Sequence, residues 1–151
     1  MCRKSETMFQ SYDHIGVSMA ILLDELVGWW KLSDVWHEFE TEPRRNPFGG
    51  WPTGSLVFTD DGRMMLVILG STSTAHAPSY DLEVHSGRFV LDGSAIITTV
   101  DFSSRVQWMH GKLKYCVSLG QNGTLCLTSR QAGLLYDGAP FTFASNWFRM
   151  P

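Results

Sequence analysis

From Trp30 to the C-terminus the chain alternates apolar and polar residues with a period of two, and short turn signals break the alternation at regular intervals. These signals are Asp60-Asp61-Gly62, Asp92-Gly93, Gln121-Asn122-Gly123 and Asp137-Gly138. Alternation of this kind places side chains on opposite faces of a strand, and Asn-Gly or Asp-Gly between two such runs is a hairpin signature. Strands are predicted at about 30–40, 53–59, 63–70, 84–91, 95–102, 111–119, 124–129 and 141–149. Eight antiparallel strands are enough to close a small barrel, whose interior either fills with side chains or holds one small ligand. The expected fold is therefore all-β, an eight-stranded antiparallel barrel. Ahead of it the period changes: Ile15, Met19, Leu22, Leu23 and Leu26 recur at helical spacing behind Asp13 as a candidate cap, and Gly28 closes the segment. Residues 1–12 read as a polar, frayed tail, and residues 13–151 as a single domain with a short N-terminal helix.

The phase of each run predicts what faces inward. On the first strand Trp30, Leu32, Asp34, Trp36 and Glu38 share a face, leaving His37 on the other. The fourth strand puts His85, Gly87, Phe89 and Leu91 together, the fifth Ile96, Thr98, Val100 and Phe102, and the sixth Leu113, Tyr115, Val117 and Leu119. The Gln121-Asn122-Gly123 loop, with glycine at its left-handed position, pairs Leu119 with Leu125 and sets Cys116 opposite Thr128 rather than Cys126. The segment 41–52, carrying Phe48 and Trp51, is a candidate lid.

Composition narrows the function. Twelve Lys and Arg against 15 Asp and Glu give a net charge of −3, the wrong sign for a protein that releases counterions from nucleic acid. Aromatic residues are 13% of the chain against 18% charged, which suits an aromatic cavity for a small molecule. No run is long enough for a membrane helix, and the acidic Glu6 and Asp13 count against a secretory leader. Three cysteines, an odd number, fit free thiols and a cytoplasmic location. The five histidines show no ligand spacing, and the chain lacks a phosphate loop, a dinucleotide fingerprint and a nucleophile elbow. No metal or other cofactor is expected, and a homodimer is left open.

Gly28-Trp29-Trp30, the Gly54-Ser-Leu-Val-Phe-Thr-Asp-Asp-Gly-Arg-Met64 hairpin, Ser86-Gly87-Arg88-Phe89 and the closing Trp147-Phe148-Arg149 together resemble the lipocalin-like domain family of small intracellular barrels over residues 26–150. The resemblance implies an apolar cavity and a structural pair in which Trp30 closes one end under Arg149. It implies no single activity. His85 stands where many members have tyrosine and Thr98 where many have histidine, so no catalytic residue carries over.

The residues themselves supply candidates. Asp34, on a tryptophan-flanked inward face, is the first choice for a general acid or base, because burial in an apolar wall raises a carboxyl pKa. Its plain alternative is a cap on a neighbouring backbone group. Tyr115 and His85 are the companion proton donors or acceptors. Trp36, Phe58, Phe89, Thr98, Trp108 and Trp51 are the expected ligand contacts. The reading is a cofactor-independent cyclisation, isomerisation or epoxide opening of a hydrophobic, natural-product-like molecule; its rival is a carrier or sensor of such a ligand, and a third is a filled barrel serving only as an interaction domain.

Overall fold

The computed structural model describes residues 20–71, 82–131 and 135–151. One helical turn, α1 (Leu23–Leu26), leads into β1 (Gly28–Glu38), followed by β2 (Thr53–Phe58), β3 (Arg63–Leu69), β4 (Leu82–Asp92), β5 (Ala95–Ser103), β6 (Lys112–Leu119), β7 (Leu125–Gln131) and β8 (Phe141–Arg149). Each strand pairs antiparallel with its neighbour in sequence, and β8 returns to β1, so the sheet is a closed barrel without a free edge. All eight predicted strands are present. The predicted helix is only partly visible: residues 13–19 lie outside the described part, and α1 starts after Leu22, whose side chain makes no cap.

The two ends of the barrel differ. Tight turns join β2 to β3, β4 to β5 and β6 to β7 at the end nearest α1. Gly62, Gly93 and Gly123 there take positive φ, and the last turn sets Leu119 against Leu125 and Cys116 against Thr128, the predicted register. Trp30 closes this end, 1% exposed, with its Nε1–H donating to the Leu26 carbonyl at 2.8 Å. The Arg149 guanidinium lies 4.4 Å above its ring and donates to the carbonyls of Val27, at 2.6 Å, and of Glu25. Gly28 is required beneath it: its φ is +138°, and a Cβ there would stand 2.7 Å from the arginine Nη1. Above this closure Leu56, Leu66, Ile68, Ile96, Leu125, Leu127 and Trp147 are fully buried. At about 1.5–3 kcal/mol for each large apolar side chain, this stack is the main source of stability.

The connections 39–52 and 104–111 and residues 135–140 lie at the opposite end, the mouth. Phe48, in the first of them, is fully buried, whereas Trp51 is 84% exposed.

Two β-bulges alter the predicted phases, both in the mouth half. In β1 the pairing with β8 shifts between Leu32 and Asp34, so Ser33 is an extra residue and Ser33 and Asp34 both face solvent. Asp34 is therefore not an interior group. Its Oδ1 accepts the Val35 backbone N–H at 2.9 Å, the capping role that was its plain alternative. Beyond the bulge Val35 and His37 point in and Trp36 points out. Trp36 stays covered because Arg44 stacks on it at 5.1 Å and Glu38 accepts its Nε1–H at 2.8 Å. In β5 the extra residue is Asp101, between the pairs Ser86–Phe102 and Gly87–Val100. Phe102, expected inside, is 55% exposed, and Ser103 takes the inward place opposite His85. Gly87 permits the bulge, since a Cβ at that position would overlap the Thr99 carbonyl at 2.0 Å.

Candidate functional site

β4 places Glu83 and His85 two residues apart on one inward face, and the β5 bulge delivers Ser103 across from them. Glu83, His85 and Ser103 are 4%, 1% and 8% exposed. The His85 Nε2 stands 2.6 Å from Glu83 Oε1, and its Nδ1 stands 2.8 Å from Ser103 Oγ. A carboxylate can only accept, so in the neutral imidazole the proton sits on Nε2 and leaves Nδ1 to accept the Ser103 hydroxyl. The serine oxygen in turn accepts the Arg105 backbone N–H at 2.9 Å. The Arg105 guanidinium donates to Glu83 Oε2 from Nη2 at 3.1 Å and from Nε at 3.4 Å.

The result is a continuous polar chain, Arg105–Glu83–His85–Ser103, set into an apolar barrel. A buried carboxylate without partners would cost several kcal/mol; here a guanidinium and an imidazole take one oxygen each. Burial lowers the Arg105 pKa to about 10, which leaves it charged at neutral pH. Tyr115, 1% exposed on β6, is pushed well above the ordinary phenol value, first by burial and then by the negative charge of Glu83. It is a proton donor in this setting, never a phenolate. Trp108, in the 3₁₀ turn Val106–Trp108 between β5 and β6, lies over His85 with ring centroids 4.9 Å apart.

A second polar group sits beside the mouth. His37 is buried among Phe48, Phe141 and Phe143, with its Nδ1 2.9 Å from the Tyr136 hydroxyl. Burial, with Arg105 adding positive charge, drops its pKa to about 3. It is a neutral ring at any physiological pH. A groove of about 150 Å³ opens on the rim nearby, lined by Glu38, Phe39, Glu40, Arg130, Pro140, Phe141 and Thr142.

Of the residues expected to form the site, His85 and Trp108 meet beside Glu83, and Tyr115 lies within reach of the Glu83 charge. Phe58 and Phe89 meet edge to face at 5.3 Å, and Thr98 donates to Met64 Sδ at 2.8 Å, all inside the barrel. Asp34, Trp36 and Trp51 lie outside it, and Phe48 is the loop residue that turns in. Sequence reading missed Glu83, Ser103, Arg105 and His37. The Glu-x-His spacing of Glu83 and His85 was a usable signal, because residues two apart on a strand share a face. Ser103 and His37 gave none, since a bulge reverses each.

Among the described residues no three His, Cys, Asp or Glu side chains are gathered closely enough to hold a metal, and no helix is long and apolar enough to cross a membrane. Cys126 is a buried free thiol whose pKa burial raises to about 11. Cys116 is disulfide-bonded, contrary to the expectation that every cysteine is free. No family model matches the chain, and no curated protein matches it.

Proposed function

We propose that this is a lipocalin-like barrel that takes an apolar small molecule at its mouth, and that His85 moves a proton on that molecule without a cofactor. The observation that carries the reading is the buried Arg105–Glu83–His85–Ser103 chain. A barrel that needed only stability would gain as much from apolar side chains, because buried ionic groups rarely add net stability. Glu83 fixes the tautomer and stabilises the imidazolium that forms when Nδ1 accepts a proton. Tyr115 supports the negative charge that develops elsewhere on the substrate, as a neutral donor in a dry site. Isomerisation and cyclisation of hydrophobic intermediates need this much and no redox or metal chemistry.

The test uses a generic base-sensitive probe, 5-nitrobenzisoxazole, whose ring opens when the C3 proton is removed. The wild-type protein is expected to open it faster than free imidazole at equal concentration. His85→Asn should lower the rate by about 10²-fold while changing probe affinity little, as expected for lost proton transfer. A wild-type rate no better than imidazole, with the probe bound, would reject catalysis and leave a carrier.

A further inference from the structure

We infer that Ser103 is a nucleophile and that the site cleaves carboxylic esters of apolar acids through an acyl-serine intermediate. The inference rests on the reading of His85 as a proton-transfer group and adds a covalent step to it. A serine hydroxyl is a weak nucleophile unless a base takes its proton as it attacks, and the base must itself be oriented by a third group. All three parts are in place. Ser103 Oγ is 2.8 Å from His85 Nδ1, the opposite ring nitrogen is 2.6 Å from Glu83, and Arg105 locks the far carboxylate oxygen. No nucleophile elbow marks the sequence, because the serine is aimed by the Asp101 bulge at the end of β5 rather than by a strand-to-helix turn. Which imidazole nitrogen meets the serine does not alter the chemistry; the carboxylate decides which one carries the proton.

Ser103 Oγ bonds to the ester carbonyl carbon while its proton passes to His85 Nδ1. The tetrahedral intermediate collapses, the carbon–alkoxy bond breaks, and the departing alcohol takes the proton from Nδ1. Water then attacks the acyl-serine with Nδ1 again as base, releasing the acid and restoring the hydroxyl. The Arg105 backbone N–H, which donates to the serine oxygen at 2.9 Å, would turn to the ester carbonyl oxygen as that oxygen takes up charge. Trp108, its ring centroid 4.9 Å from that of His85, offers the acyl group an apolar surface to lie against.

The experiment is labelling of the intact, folded protein with an alkyl fluorophosphonate, in which the serine oxygen displaces fluoride, followed by peptide mapping. One adduct per chain is expected, on the peptide holding Ser103. His85→Asn should slow its formation by at least about 10²-fold, and p-nitrophenyl butyrate hydrolysis should fall in parallel. Mapping on the wild type reads the site even if a variant fails to fold. No adduct, or an adduct on another residue, would overturn the nucleophile. A protein that opens the benzisoxazole but takes no phosphonyl group on Ser103 loses the nucleophile and keeps the base; a protein that does neither loses both.

Discussion

His37 shows how much a single buried ring can weigh. It is 3% exposed, and burial holds its imidazole at about 3, far below the ordinary value of 6.5. A group whose folded pKa is depressed binds its proton more readily in the unfolded chain, so acid favours unfolding. The stability this ring contributes is complete above pH 6.5 and is lost as pH falls toward 3. At pH 5 the loss is about 2 kcal/mol, from the offset between the two values. Urea denaturation at pH 7 and pH 5 is expected to show that difference in the wild type over and above His37→Gln, which has no ring to titrate. Equal pH dependence in the two proteins would mean that His37 is not buried as a neutral ring. The positive charge of Arg105 adds to the depression, so its substitution by Gln should soften the effect.

At the scale of the strand, one inserted residue decides which chemistry faces the barrel. Removing Ser33 would take out the extra residue and leave the rest of β1 on its present faces, Asp34 outward and Val35 and His37 inward. Deletion of Ser33 is therefore expected to leave the protein folded, at a cost of no more than about 3 kcal/mol. Asp34→Ala should cost only about 1 kcal/mol, the value of a lost hydrogen bond to the Val35 N–H, and should leave turnover unchanged. Denaturant titration of the two variants checks both, and a deletion variant that fails to fold would refute the reading of Ser33 as the extra residue. The same device explains what could be read in advance. The eight strands, the Leu119–Leu125 turn and the pairing of Trp30 with Arg149 follow from alternation, turn glycines and a motif, all local signals. The polar site does not, because Ser103 and His37 are placed by bulges that carry no marker in sequence. Phases counted from the closed end hold up to each bulge, which is why Trp30, Phe89, Thr98 and Tyr115 were placed correctly and Asp34, Trp36 and Phe102 were not.

The molecule as a whole is polarised. Its tight turns and the Trp30–Arg149 closure occupy one end, while the long connections, the Glu83–His85–Ser103 chain and the His37–Tyr136 pair crowd the other half. With one end rigidly closed, the proposed ligand would have to enter at the mouth, and there Phe48 is the obstacle. Its side chain is fully buried against the His37 ring, its N–H is held by Asn46 Oδ1 at 3.0 Å, and its carbonyl accepts the Ser71 N–H at 2.9 Å. The backbone bonds would survive loss of the ring, so Phe48→Ala should empty the space without releasing the loop. The expected cost is about 3–5 kcal/mol for a buried phenylalanine, with a gain in access to the barrel. A hydrophobic dye such as anilinonaphthalene sulfonate should then bind the folded variant faster and more tightly than the wild type, with near-ultraviolet dichroism confirming that tertiary packing persists. Trp51→Ala, in the same loop but 84% exposed, should change stability by no more than about 0.5 kcal/mol and dye binding not at all. If Phe48→Ala remains folded and admits no more dye than Trp51→Ala, then Phe48 is core rather than stopper, and the route to His85 must run past Trp108 instead.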